Sequence, residues 1–437
     1  MHGSDLIEGS LPWQRSLSTA TAAVIPMRIE SNTPAFNWLL GLLSALPTFG
    51  IDMILPTLPA TGAALGASSS EVGLAMSVYL LGLGVALLVY GPVSDRIGRR
   101  PIIIFGAALL ALASVGCVLA RSLPQLLIFR TLQGVGASGP GMGALTIVRD
   151  LFEGDEARSK TSYIVFAVNI VPMIAPTVGA ALLSLGGWQA VYWLPVAGGC
   201  MLLVIMRGMA ETARFESGSR LRPINVLRDY LSVLGHLTTL RYTVCNAAAA
   251  GAVFAYITGS SLFLIDVVGL GPVQYGVVFG ASSLSVMAGS LLNQRLSGRV
   301  TPRQMIAIGL SLSTTLAMCL MVMALTESQS VLLVVLVMTG VALSFGLISP
   351  NAISEALEPL PAIAGAAGAV VMFMQMLGAA AASWLVSWLF DGRSALSMAI
   401  TMLLFCLLST AAFLCAGMHA GREHELPTSA SWTEGAQ

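Results

Sequence analysis

From residue 36 to residue 417 the chain is a succession of apolar runs, each about 20 residues long and separated by short polar turns. A run of that length, coiled at 1.5 Å per residue, matches the hydrocarbon thickness of a bilayer. Lipid offers backbone N–H and C=O groups no water, so only helices or closed barrels cross it, and these runs are too long for barrel strands. They lie near 36–59, 72–93, 101–120, 124–148, 160–185, 189–208, 242–266, 273–296, 304–324, 330–349, 362–388 and 394–417. The pattern predicts an all-α membrane protein with twelve transmembrane helices. Composition agrees, because a chain that is 56% hydrophobic and 10% charged has more apolar surface than a soluble fold can bury.

Charge placement orients the spans. Short cytoplasmic loops carry an excess of Lys and Arg. With both termini in the cytoplasm, eighteen of the 21 basic residues fall on that side, Arg121 and Arg393 fall outside, and Arg130 lies within the fourth span. A count shifted by one span destroys this asymmetry. The expectation is a multi-pass protein of the cell inner membrane. Its formal net charge is zero, from 21 basic and 21 acidic residues, which gives no nucleic-acid footprint.

The longest interior polar stretch divides the chain. It gives a cytoplasmic tail at 1–35, a six-helix bundle at 36–208, a cytoplasmic linker at 209–241, a second bundle at 242–417 and a cytoplasmic tail at 418–437. GPVSDRIGRRPIIIFG, after the second span, has a worn counterpart in SLLNQRLSGRVTPRQMIAIG, after the eighth. The counterpart lacks an aspartate. Parallel repeats of this kind predict pseudo-symmetric halves with a substrate cavity between them, opened alternately to either side by rocking.

Four segments carry a family resemblance: IDMILPTLP in the first span, GPVSDRIGRRP after the second, RTLQGVGASGPGMGALTIVRDLF along the fourth and VPMIAPTVGAALLSLGGW in the fifth. On these the sequence resembles the major facilitator superfamily, and within it the bicyclomycin and chloramphenicol resistance exporters of the Bcr/CflA type. The resemblance covers roughly residues 36–417 and implies a secondary transporter, most simply a proton-coupled antiporter that exports small drugs or metabolites. It also implies that the loop of Gly91, Asp95, Arg96, Gly98, Arg99 and Arg100 latches the halves on the cytoplasmic side. The alternative is that its arginines only enforce topology. Gly91 and Gly98 would permit a tight reversal there.

Glu355 and Glu358 stand in a cytoplasmic loop without a single Lys or Arg, and Glu153, Asp155 and Glu156 follow the fourth span. They suggest crossed ionic latches, the second group reaching Arg295, Arg299 and Arg303. Pro172, Pro176 and Gly179 match the family's antiporter motif in the fifth span. A proline there removes backbone hydrogen bonds and bends the helix, and the resemblance makes that bend a gate.

Asp52 and Arg130 are the sharpest candidates, since a charge near the bilayer centre costs at least about 2.5–3.5 kcal/mol. Each lies about 10 Å from the outer end of its span, so they share a depth across the cavity. Two readings follow: a proton-coupling site whose occupancy responds to hydration, or a fixed structural ion pair. Asp266 is a weaker candidate at the outer end of the seventh span. Gly134, Ser138 and Gly141 read as close-packing positions on the fourth span.

An enzyme is not expected. HExxH, GxSxG and Walker patterns are absent, and the four histidines lie in tails or loops. The six cysteines sit in apolar runs without CxxC spacing, as small hydrophobic residues do. No cofactor or metal is expected. The expected partners are a small amphipathic substrate, protons and the bilayer, with the protein acting as a monomer. A proton-coupled importer, and less simply a channel or receptor, remain alternatives that hydropathy does not separate.

Overall fold

A computed structural model describes residues 33–213, 223–326 and 330–423. The expectations for the tails at 1–32 and 424–437 and for linker residues 214–222 lie outside these. The described chain is helical, and its β-structure is confined to one isolated bridge between Ser297 and Val300. Among the described residues, eleven helices are long and apolar enough to cross a membrane. Leu123–Leu151 adds a twelfth: it has 29 residues, and Arg130, Arg149, Asp150 and its glycines lower its hydropathy.

The first span runs Pro34–Asp52, breaks, passes through a 3-10 turn at Leu55–Thr57 and continues as Leu58–Leu65. It therefore ends beyond residue 59, where the sequence placed its outer end. The remaining spans begin at Ser69, Arg99, Leu123, Gly154 and Trp193 in the first half, and at Leu237, Pro272, Pro302, Val331, Ala364 and Leu396 in the second. Side chains set some of these starts. Ser68 and Glu71 form a reciprocal capping box at the second span, and Thr301 and Gln304 form another at the ninth.

Small residues let the spans touch backbone to backbone. A Cβ on Gly134 would meet the carbonyl of Tyr79, and one on Gly82 would meet that of Thr131, so the second and fourth spans lie in direct contact. Between the halves, contacts run along the second and eleventh spans and along the fifth and eighth.

The face where the first span begins collects the arginine-rich turns and is called here the basic face; the opposite one is the far face. Towards the far face a single apolar cluster joins both halves, with Met53, Leu55 and Met76 packed with Tyr256, Phe263 and Phe279. Towards the basic face the buried cores are separate, one around Leu40, Leu110 and Ile147 and the other around Cys245, Ile306 and Ile348. The halves thus share one continuous core at the far face, while towards the basic face their main cores are separate and meet along the second and eleventh spans, where Leu88 packs beside Ala367 and Val370.

Candidate functional site

The break in the first span places Asp52. Pro47 stands inside the helix about a turn earlier, and the regular helix stops at Asp52. The residue is 3% exposed, and its side chain forms no hydrogen bond or ion pair with any described residue. Tyr79 of the second span, Tyr256 of the seventh and Tyr275 of the eighth lie within electrostatic reach of its carboxyl. Tyr256 and Tyr275 flank Phe279 with ring centroids 6.0 and 5.8 Å away, which makes an aromatic wall on the second half.

Arg130 is fully buried, and its donors are spoken for within the first half. Its Nη2 donates to the Gly50 carbonyl at 2.9 Å, its Nε to the Ala75 carbonyl at 3.3 Å and its Nη1 to Oε1 of Gln133 at 2.5 Å. The guanidinium lies 4.3 Å from the ring centroid of Tyr79, whose hydroxyl donates to the Pro47 carbonyl at 2.8 Å. Gln133 in turn donates to Ser114 of the third span at 2.7 Å. One network therefore ties the first four spans together. Gly50 completes it, because a Cβ there would run into the Tyr79 ring and hydroxyl.

The ion pair weighed from the sequence is absent: among the described residues the ion pairs are Arg99–Asp95, Arg99–Asp150 and Arg158–Asp155. Arg130 reaches the backbone two residues before Asp52 and leaves the carboxyl alone.

Far-face closure surrounds this acid. Ser261 Oγ of the seventh span donates to the Leu55 carbonyl at 2.5 Å, three residues past Asp52. Asp266 lies close to Ser69 at the start of the second span, a carboxylate against a helix N-terminus across the two halves. A Cβ on Gly73 would strike Ser387, and Cβ atoms on Gly276 and Gly280 would strike the backbone of Thr177 and Met173. Gly179 lets the fifth span rest on the Met53 carbonyl, directly behind the break. Pro172, Pro176 and Gly179 thus lie on the helix that touches both the first span and the eighth. Gly141 approaches Pro47, and Ser138 Oγ is buried without a hydrogen-bond partner among the described residues.

At the basic face the motif residues bond within their own half. Arg99 pairs with Asp95 at 2.5 Å and with Asp150 at 2.9 Å, and it donates to Ser94 Oγ at 2.7 Å. Arg100 donates to the carbonyls of Met206 and Arg207 at 2.8 and 3.1 Å, which caps the end of the sixth span. Glu211 accepts from the backbone N–H groups of Arg99 and Arg100 at 2.7 and 3.2 Å, which caps the start of the third. Gly98, at φ 106°, is the reversal. Gly91 is not part of it: the second span continues as helix through Gly91 to Ile97, and open space surrounds Gly91. Arg96 makes no bond to a described residue.

In the second half the Glu355 carboxyl lies near Tyr242 and Arg303. This echoes Arg99 and Asp150, a basic residue at the start of one span beside an acid at the end of the next. Asp155 pairs locally with Arg158, so no ion pair among the described residues joins the halves.

The Major Facilitator Superfamily model matches residues 40–383. The chain belongs to this superfamily. It is a multi-pass membrane transporter and not an enzyme. It is 28% identical to an uncharacterized MFS-type transporter, YdgK, of Bacillus subtilis, over 87% of this chain and 94% of that one. A bicyclomycin resistance protein homolog of Haemophilus influenzae is 28% identical over 79% and 87% of the two chains. The multidrug resistance protein MdtL of Escherichia coli is 29% identical over 82% and 89%. The fold matches a bacterial homolog of the human lysosomal transporter Spinster, solved inward-facing and unoccupied, with TM-score 0.69 at 15% identity over 90% of this chain and 98% of that one. A D-xylose–proton symporter matches with TM-score 0.67 at 16% identity over 88% and 97%.

Several residues of the site escaped sequence reasoning. Gln133 was findable, since it follows Arg130 by three residues on the same helical face and an amide in a span needs a partner. Gly50, Ser261 and Glu211 carry no such signal, because their roles depend on which backbone comes near.

Proposed function

We propose that the protein is a proton-driven antiporter that exports small amphipathic drugs or metabolites, acts as a monomer and sits in the inner membrane with both termini and the basic face in the cytoplasm. The observation that carries this reading is Asp52: a buried acid without a cation among the described residues, placed at a helix break inside the far-face closure. An enclosed carboxyl without a counter-ion is tolerated as the neutral acid, so closing the far face goes with a proton on Asp52. Opening that face returns the carboxyl to water, where it reloads as substrate leaves. Opening the basic face lets the proton go and the next substrate enter. The relatives named for bicyclomycin and multidrug resistance support export and the choice of cargo.

Pro172, Pro176 and Gly179 act as the bend on which the fifth span moves against the first and the eighth. The latch forms when the basic face closes. Arg99 and Arg100 are committed to Asp150 and to the sixth span, so Arg96 is the free arm and Glu355 and Glu358 are its acceptors. Arg295, Arg299 and Arg303 take Glu153, Asp155 and Glu156 in the same way. Each exposed pair contributes about 0–1 kcal/mol, so the pairs act together.

Everted membrane vesicles with a proton gradient, acid inside, test the coupling, with labelled chloramphenicol and bicyclomycin as probes. Wild type accumulates a probe in a gradient-dependent manner; Asp52→Asn accumulates it at least about tenfold more slowly and ignores the gradient. Full gradient dependence in the variant would overturn the role of Asp52. An importer would instead move the probe out of the acidified vesicles.

A further inference from the structure

A short helix at Pro223–Gly235 follows the linker and precedes the seventh span. Its residues fall into three arcs at helical spacing. Val226, Tyr230 and Val233 form the first, and Val233 is buried among Ala367 and Val370 of the eleventh span. Ile224, Leu227, Leu231 and Leu234 form the second, which is exposed at 60, 52, 59 and 40%. Asn225, Arg228, Asp229 and Ser232 form the third. Protein, apolar and polar sides therefore follow one another around a single helix.

Tyr230 explains why the first arc matters. Its hydroxyl donates to the Leu88 carbonyl of the second span at 2.7 Å. Leu88 lies four residues before Pro92, which stands inside that helix and has no N–H, so this carbonyl has lost its intrahelical donor. The linker helix supplies the replacement. It thereby holds the second span in the first half through a hydrogen bond, and the eleventh span in the second half through apolar packing. Burial, with Asp95 and Asp229 close by, holds the Tyr230 phenol above its ordinary range and keeps it a donor.

Depth identifies what meets the exposed arc. Leu88 is nine residues short of the helix end at Ile97, about 13 Å inside it, and Val370 lies about 9 Å inside the eleventh span. A helix that reaches these points through its side chains has its axis near the headgroup–acyl boundary, and its apolar arc continues the lipid-facing surface of the two spans.

We propose that Pro223–Gly235 is an interfacial strap: Ile224, Leu227, Leu231 and Leu234 lie in the lipid of the leaflet at the basic face, while Tyr230 replaces the donor missing at Pro92 and favours the state open at that face. The proposal rests on the transporter reading above for the membrane, but its test reads conformation and lipid contact, not export.

Spin labels on Leu227→Cys and Leu231→Cys, in a background without the native cysteines and in liposomes, report the contact. They are expected to be relaxed by oxygen and shielded from a water-soluble nickel chelate, with Ser232→Cys showing the reverse. Nickel access at Leu227 and Leu231 would overturn the lipid contact and point to water or a protein partner. For the strap, Tyr230→Phe removes only the hydroxyl and is expected to lower the ratio of basic-face-open to basic-face-closed protein about three- to tenfold, measured by spin–spin distances across the basic face. Pro92→Ala restores an N–H for Leu88, so in that background Tyr230→Phe should change the ratio less than twofold. An equal effect in both backgrounds, or none in either, would overturn the strap. Asp52→Asn bears on gradient-driven uptake, whereas the lipid contact of Leu227 and Leu231 and the dependence of the Tyr230→Phe effect on Pro92 are read with Asp52 intact, so the two readings fail separately.

Discussion

Arg130 and Asp52 lie within two residues' reach of one another and do different work. Arg130 spends its donors on the Gly50 and Ala75 carbonyls and on Gln133, and stacks on Tyr79. Asp52 has no bonded partner among the described residues. The consequences of losing each should separate. Arg130→Ala leaves two carbonyls and an amide buried without their donor, a loss of about 3 kcal/mol, and should lower the melting temperature of the detergent-purified protein. Arg130→Lys should recover only part, because an ammonium cannot reproduce the fork that reaches Gly50 and Gln133 together. Gln133→Leu should destabilise by about 1–3 kcal/mol, through the donor lost to Ser114 and the acceptor lost to Arg130. Asp52→Asn should leave the melting temperature within about a degree or raise it, since it removes a buried acid that nothing pairs. Thermal melts of the four variants check the order, and an Arg130→Ala protein as stable as wild type would show that the network is not holding the first half together.

At the scale of elements, the junction between the second and third spans rests on one residue. Gly98 turns the chain at φ 106°, and a Cβ there would collide with the Glu211 carboxylate that caps the third span. Gly98→Ala should therefore cost about 1–3 kcal/mol of backbone strain and displace the cap, seen as a lower melting temperature and a lower yield in the membrane. Gly91→Ala, in the middle of a helix with free space around it, should be neutral or slightly stabilising. The two glycines look alike in the sequence, where both flank an arginine-rich turn. They are told apart only by where the helix ends. The spans themselves were legible because lipid imposes length and apolarity on each, and because Lys and Arg record which ends stay out of it. Asp52 and Arg130 stood out for the same reason, as charges where charge is costly. Their lack of pairing was not legible, since it depends on Tyr79 and Gly50 placing the guanidinium against backbone. The break after Asp52 was also hidden, as Leu58–Leu65 is apolar enough to pass for loop or helix.

For the whole molecule, the balance of contacts defines the state. Apolar packing and the Ser261–Leu55 and Asp266–Ser69 contacts join the halves at the far face, while the cores at the basic face remain apart. Transport requires these far-face contacts to break and re-form in every cycle. One of them lies between the second and eleventh spans, where an ideal Cβ on Gly73 stands 3.3 Å from the Ser387 Cβ. Disulfides place their Cβ atoms about 3.5–4.5 Å apart, so a shift of a few tenths of an ångström lets a Gly73→Cys, Ser387→Cys pair close. Oxidising that double variant should fix the far face shut. Gradient-driven uptake of a labelled probe by everted vesicles should then fall below about a tenth of the reduced rate and return on addition of dithiothreitol, because carriage needs both states. Probe binding from the basic face should survive oxidation, since that face is open in the cross-linked state. If the oxidised protein instead carried the probe at the reduced rate, these spans would not separate during transport, and the halves would have to move about another seam.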